Sequence, residues 1–303
     1  MLDVQPISAA TASTLRTAGL DPAAIARLVV TALEEDLADG IDVTSTATVA
    51  LDLVSTATFA TRAGGVIAGL PVAAAVIEMV CGERASAFDM LVADGTPVEP
   101  GTRIATVTAP TRLLLTAERT ALNLLCHLSG VATLTRRWAD ALEGTNARVR
   151  DTRKTTPGLR ALEKYAVRVG GGANHRMGLS DAALVKDNHV MAAGGVAEAF
   201  AAVRSLAATL PVEIEVDSIE ALAEALEAGA DVVMLDNFDI TEMPDAVALR
   251  NELAPGVVLE ASGGLTLEVA RRVGETGVDY IAVGELTHSA PVLDIGLDLE
   301  DVL

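Results

Sequence analysis

The chain has 303 residues and a formal net charge of −20, with half its residues hydrophobic and 2% aromatic. This length allows a large buried core and predicts two domains. An acidic chain with so few aromatic rings lacks the basic stripes and stacking platforms of a nucleic-acid binder, and no apolar run approaches the roughly 20 residues of a membrane span. The opening MLDVQPISAA shows no cationic segment leading into an apolar one, so no secretory signal is read there. Cys81 and Cys126 are too few for a disulfide framework or a zinc site. They are expected as small core residues in a reducing cytoplasm.

In chain order, Asp21-Pro22 predicts a helix start, with Asp as N-cap and Pro at the first helical position. Ile25, Leu28, Val29, Ala32 and Leu33 then follow the spacing of one helix face, to about Leu37. The run DGIDVTSTATV, Asp39 to Val49, reads as a turn leading into an extended segment. From Ser55 to Thr108, Val, Thr and Gly dominate in short alternating runs, which predicts strands. DGTPVEPGTRIATV, from Asp94, has the turn-and-strand pattern of a lipoyl-like sandwich. A swinging-arm carrier needs a lysine in that hairpin, and no lysine precedes Lys154. Residues 1–130 are therefore expected to form an N-terminal α/β sandwich, joined by the C-terminal segment 286–303. Leu113–Leu128 reads as a helix ended by Gly130, and Val131–Leu142 as a second one.

Beyond that point strands alternate with helices, the rhythm of a parallel sheet or barrel. The predicted strands are 147–150, 183–186, 212–216, 232–235, 257–261 and 280–283, with helices such as Ile219–Ala228 and Leu265–Val273 between them. Polar residues gather at the strands' C-terminal ends: Arg153 and Lys154, Asp187, Asp217, Asp236, Ser262 and Gly284. That is where an α/β barrel carries its site. An open doubly wound sheet also binds there, but no G-x-G-x-x-G follows a strand and there is no Walker loop. Six recognisable strands rather than eight predict an incomplete, six- or seven-stranded α/β barrel as the catalytic domain, over 131–285.

The segment from Arg150 to His189 is basic inside an acidic chain and holds all three lysines, Lys154, Lys164 and Lys186. Gathering cations costs self-repulsion unless an anion sits among them. Arg160, Lys164 and Arg168 stand at helical spacing, as a solvated face would; Arg160 and Lys164 are read that way, and Arg168 is left open. Arg153, Lys154, His175, Arg176 and Lys186 fall outside that helix, which favours a pocket for a multiply charged anion. The run Gly170-Gly171-Gly172 lets backbone approach a ligand closely.

On the strand Val212–Val216 and its extension, Glu213, Glu215 and Asp217 share one face. An unpaired buried carboxylate costs several kcal/mol, so these groups call for cations such as Lys186 or Mg²⁺. Glu215 and Asp236 with substrate oxygens fit the way Mg²⁺ is held, by few protein ligands and several waters. Ser262-Gly263-Gly264 and Gly284, on consecutive strand ends, read as a phosphate cradle, with His288 supporting the phosphate or capping its loop.

The stretch DTRKTTPGLRALEKYAVRVGGGANHRMGLSDAALVKDNH resembles the core signature of the quinolinate phosphoribosyltransferases. Similar motifs recur in ERTALNLLCHLSGVAT, EIEVDS, VMLDNF, LEASGG and GELTHSAP, so the resemblance covers nearly the whole chain. Ile41 departs from the GDVTS-like run common in that family. The resemblance implies transfer of phosphoribose from 5-phosphoribosyl-1-pyrophosphate to quinolinate with loss of CO₂, as in NAD biosynthesis, by a cytoplasmic, Mg²⁺-using homodimer. Glu215 and Asp236 would position Mg²⁺, and Lys154 would add positive charge near the phosphates. Ser262, Gly263, Gly264 and Gly284 would hold the 5-phosphate. Arg153, His175, Arg176, Lys186 and the Arg119 of a second copy would clamp the dicarboxylate. Three rivals stand beside this reading: a related enzyme acting on another aromatic acid, a Schiff-base barrel lyase using Lys186 as nucleophile, and a non-enzymatic metabolite sensor, against which the carboxylates paired with a phosphate cradle count.

Overall fold

The computed structural model describes residues 4–38 and 40–302. The chain divides into two compact units: Met1–Leu134 with Ala161–Gly170 and Ala290–Leu303, and Thr135–Arg160 with Gly171–Ser289. The expected boundaries, 1–130 with 286–303 against 131–285, differ from these by a few residues at each seam. They differ more at Ala161–Gly170, a helical piece of the first unit lying within sequence that otherwise belongs to the second.

The first unit holds a four-stranded antiparallel sheet in the order Ile295–Val302, Val54–Thr61, Arg103–Pro110, Asp89–Met90. The C-terminal strand thus pairs along Val54–Thr61, with Phe59 opposite Leu297. The Pro22–Leu37 helix forms as its capping signal requires: Asp21 Oδ1 accepts the Ala23 N–H at 3.0 Å, and Ile25, Val29 and Leu33 are buried. The segment expected as extended is instead a short helix, Val43–Thr48. Asp42 Oδ1 caps it by accepting the Ser45 N–H at 2.9 Å, a local bond that outweighs the strand preference of Val and Thr. Asp39, the first residue of the expected turn, lies outside the described residues.

A helix over Leu70–Cys81 also interrupts the run read as strands. Its residues are buried on nearly every side, so it has no apolar stripe for periodicity to detect. Asp94 caps it from a distance, accepting the N–H groups of Gly69 at 2.7 Å and Leu70 at 3.2 Å and the Tyr165 hydroxyl at 2.5 Å. Burial holds the Asp94 carboxyl above the usual carboxylate range.

The two helices expected around Gly130 are one, Thr111–Ala141. A Cβ at Gly130 would lie 2.2 Å from the Pro291 carbonyl oxygen and 2.9 Å from Val292 Cα. Glycine therefore serves close approach of the C-terminal segment rather than helix termination.

The second unit is built on six parallel strands in the order Arg148–Arg150, Tyr280–Ala282, Val258–Ser262, Val232–Asp236, Val212–Val216, Ala183–Val185. All six predicted strands are present. The first strand pairs with the last, as in a barrel, and among the described residues it does not pair with the second, so the barrel is incomplete. The helix Ile219–Ala228 matches its expected limits, with Ser218 as N-cap. The helix expected from Leu265 begins later: a 3₁₀ turn, Leu267–Val269, precedes Ala270–Glu275. Ile214, Val233, Leu235, Leu259, Ala261 and Ile281 are buried on these strands, which carry both faces under cover. Each such Leu, Ile or Val contributes about 1.5–3 kcal/mol on leaving water.

Candidate active site

The strand ends of the second unit are held in register. Ser262 stands opposite Asp236, and the Asn237 N–H donates to the Ser262 carbonyl at 2.9 Å. Gly263 has φ +101°, and a Cβ there would lie 2.2 Å from Asn237 Oδ1, so only glycine fits this tip. At the neighbouring tip a Cβ on Gly284 would lie 2.9 Å from Lys154 Cδ and 3.2 Å from His288 Nε2. Thr287 Oγ1 ties this corner together, donating to the carbonyls of Lys154 at 2.8 Å and Gly284 at 3.2 Å. The sequence-predicted Lys154, Gly284 and His288 are thus brought side by side.

Arg153 and Arg176 are half-buried, and neither forms an ion pair among the described residues. The Nε of each is buried without a partner there. Arg176 Nη1 donates to the Ala182 carbonyl at 2.8 Å, which leaves the rest of the fork for other acceptors. Burial, and next the charge of Arg153, lower the Arg176 pKa from its ordinary value. Guanidinium groups near enough to repel, with no carboxylate bonded to either, are arranged for an anion from outside.

The three carboxylates expected on one face meet different fates. Glu215 Oε2 takes Lys186 Nζ at 2.5 Å, Lys186 being one of the cations expected for this face. Glu213, buried, lies with Oε2 2.8 Å from His175 Nε2, and Asp217 is exposed. A further acid that sequence reasoning passed over is Glu260, fully buried, with Arg150 Nη1 at 2.7 Å. The signal was available: Glu260 interrupts an otherwise apolar strand, where an ionised side chain needs a partner. Among the described residues, Glu213 Oε1 and Glu260 Oε1 are both buried and without hydrogen-bond partners. Burial first, and then the neighbouring Glu213 carboxylate, raise the Glu260 pKa above its ordinary value.

His175 is only 8% exposed, its ring turned inward among these acids. Its Nδ1 accepts the Arg176 N–H at 2.7 Å, and its own N–H donates to Asp151 Oδ1 at 2.8 Å. Lys164, expected on a solvated face, is fully buried. Its helix packs Leu162–Val167 inward in the first unit, leaving Arg168 exposed there, bonded to the Ala18 carbonyl. Arg160 is half-buried rather than solvated: it donates to Thr155 Oγ1 at 2.9 Å and the Met177 carbonyl at 3.0 Å. Arg119 lies exposed in the first unit, bonded to Asn123 rather than paired with Glu118. It lines a cavity of about 780 Å³ with Cys126 and Asp294.

Arginines without counter-ions, a lysine over a glycine tip and carboxylates on adjacent strands define an α/β-barrel enzyme that handles anionic substrates. The chain belongs to the quinolinate phosphoribosyl transferase family, whose N-terminal domain matches residues 42–129 and whose C-terminal domain matches residues 131–298. A Mycobacterium leprae protein named nicotinate-nucleotide pyrophosphorylase [carboxylating] is 54% identical over 268 residues, covering 88% of this chain and 94% of that protein. A Bacillus subtilis protein named as probably the same activity is 47% identical over 208 residues, 68% of this chain and 71% of its own length. The solved structure of the nicotinate-nucleotide pyrophosphorylase from Francisella tularensis superposes with a TM-score of 0.86 at 38% identity, covering 91% of this chain and 96% of that one.

Proposed function

We propose that this chain transfers phosphoribose from 5-phosphoribosyl-1-pyrophosphate to quinolinate, releasing pyrophosphate and CO₂ and forming nicotinate mononucleotide for NAD biosynthesis. The observation that carries this reading is the pair of arginines, Arg153 and Arg176, held without ion pairs in the unit whose strand tips are lined by Ser262, Gly263, Gly264 and Gly284. A guanidinium fork suits a planar carboxylate, and two of them suit a dicarboxylate. The glycine tips leave backbone N–H groups open to a phosphate, and Lys154, crossing Gly284, adds charge beside it.

Clamping both substrates turns the ring nitrogen of quinolinate towards the ribose C1, and fixed orientation of this kind supplies much of a rate enhancement. The nitrogen lone pair forms the new bond to C1 while the C1–oxygen bond breaks, its electron pair leaving with pyrophosphate. The pyridinium is then cationic. Loss of the adjacent carboxylate as CO₂ leaves an electron pair beside the positive nitrogen, and a proton from water completes the ring. Such a step needs no strong general base.

Glu215 and Asp236 are the residues that would hold Mg²⁺. Each has one oxygen engaged by the protein, by Lys186 and Asn237 respectively, and one without a partner among the described residues, which fits an ion bound through few protein ligands. When bound, the ion neutralises developing charge on the pyrophosphate. The working enzyme is a cytoplasmic homodimer in which the exposed Arg119 of one copy completes the clamp of the other.

The Schiff-base rival fits poorly, because Lys186 is 49% exposed and bonded to Glu215 rather than desolvated as a nucleophilic amine requires. The test is release of labelled CO₂ from carboxyl-labelled quinolinate with and without the sugar pyrophosphate. Release only with both substrates is expected. Release without the donor, or none with both, overturns the reading, and turnover of another aromatic acid in place of quinolinate would reassign the substrate.

A further inference from the structure

Behind Arg176 runs a chain of inward-facing polar side chains. The Arg150 guanidinium lies over the Tyr280 ring at 4.8 Å and holds Glu260 Oε2 at 2.7 Å. Glu260 Oε1 is 3.8 Å from His175 Nε2, which is itself 2.8 Å from Glu213 Oε2. On the other side of the imidazole, Nδ1 accepts the Arg176 backbone N–H at 2.7 Å. A ring nitrogen that accepts from an amide carries no proton, so the hydrogen of a neutral ring sits on Nε2, within charge-contact distance of Glu213 Oε2 although not aligned with it as a hydrogen bond. The same three residues, His175, Glu213 and Glu260, are a plausible ligand set for a small cation. However, Arg150 already occupies Glu260 Oε2, and a divalent ion beside a guanidinium and two carboxylates would leave a net positive charge in a dry interior.

We propose that Arg150, Glu260 and Glu213 are positioning residues for the transfer reaction: they fix the Nε2–H tautomer of His175, and His175 in turn anchors the Arg176 backbone and so aims its guanidinium at the substrate dicarboxylate. The inference rests on the placement of Arg176 in the clamp. It makes His175 a pillar behind the substrate site, consistent with its burial, and gives the buried acid Glu260 a purpose at a site it does not touch. The orienting logic is that of a carboxylate setting the tautomer of a working histidine.

The first test is spectroscopic and independent of turnover. In the protein with ¹⁵N-labelled histidine, the His175 ring signals, assigned by their loss in His175→Gln, should report a proton on Nε2 and none on Nδ1. A ring protonated on Nδ1, or on both nitrogens, overturns the proposal. The second test is kinetic. Glu213→Gln keeps an acceptor for Nε2–H and should leave the quinolinate KM within about threefold. Glu213→Met removes that acceptor and should raise it roughly tenfold or more, with the KM for the phosphoribosyl donor within about twofold. An unchanged quinolinate KM in Glu213→Met, or equal rises for both substrates, overturns the proposal; if Glu213→Met does not fold, the wild-type spectrum and Glu213→Gln decide. A stoichiometric divalent metal in the purified protein, lost in Glu213→Gln, would also overturn it. Failure of wild-type quinolinate turnover would instead sink the functional reading and leave the tautomer measurement standing.

Discussion

The Lys154 side chain crosses directly over the α-carbon of Gly284, so that a methyl group placed there would lie 2.9 Å from Lys154 Cδ. The absence of a side chain at residue 284 thus sets the path of a cation 130 positions earlier in the chain. Gly284→Ala pushes aside the flexible lysine rather than backbone. It should raise the KM for 5-phosphoribosyl-1-pyrophosphate about tenfold, equivalent to about 1.4 kcal/mol. Thermal unfolding should change little, and a loss of stability without a KM change would make Gly284 a packing residue.

Arg176 donates one bond to the Ala182 carbonyl and keeps the rest of its fork open. Arg176→Ala should raise the quinolinate KM by the worth of a charged hydrogen bond, about 1.5–3 kcal/mol, with circular dichroism unchanged. Steady-state kinetics with each substrate varied in turn will check this. Normal kinetics would remove Arg176 from the clamp.

Glu215 is bonded to Lys186 through one oxygen, and the proposed function gives its other oxygen to Mg²⁺. Glu215→Asp keeps the charge but withdraws it by one methylene. The Mg²⁺ concentration for half-maximal turnover should rise by about tenfold or more, since ion sites tolerate little displacement. A magnesium titration that superposes on the wild type would reassign Glu215 to structure.

Gly130 lies within the Thr111–Ala141 helix, against Pro291 and Val292. Gly130→Ala gains helix propensity, about 1 kcal/mol, but drives a methyl into backbone that cannot give way. Net destabilisation of about 1–3 kcal/mol is expected in urea unfolding. A stabilised variant would mean the C-terminal segment is not seated on this helix.

Glu260 has its folded-state pKa raised above the ordinary 4.5. The native protein therefore binds that proton more tightly than the unfolded chain. The associated stability is fully present at acidic pH and is lost as pH rises through the raised value. Unfolding free energies measured across the range from pH 5 to about 8 should fall less steeply for Glu260→Gln than for the wild type. Parallel curves would show that Glu260 stays ionised, compensated by Arg150.

Local signals were legible where they act locally. Asp21-Pro22 starts a helix wherever it stands, and the six parallel strands announced themselves as short apolar runs between helical stretches. Lys186 could be offered from sequence as a partner for the acidic face of Val212–Val216, because buried carboxylates need cations and Lys186 lies on another predicted strand. Other elements were decided by distant partners. The Leu70–Cys81 helix has no polar face because it is enclosed on nearly every side, and its cap, Asp94, comes from another loop. Gly130 resembles a helix stop until Pro291 is seen against it, and Lys164 resembles a solvated cation until its helix is seen turned inward. Sequence determined the strand-and-helix rhythm and the chemical types at the strand tips, because backbone periodicity and capping depend on near neighbours. Only the tertiary structure decided which charges point inward and pair, as Arg150 does with Glu260, because that depends on residues 110 positions apart meeting across the intervening Tyr280–Ala282 strand.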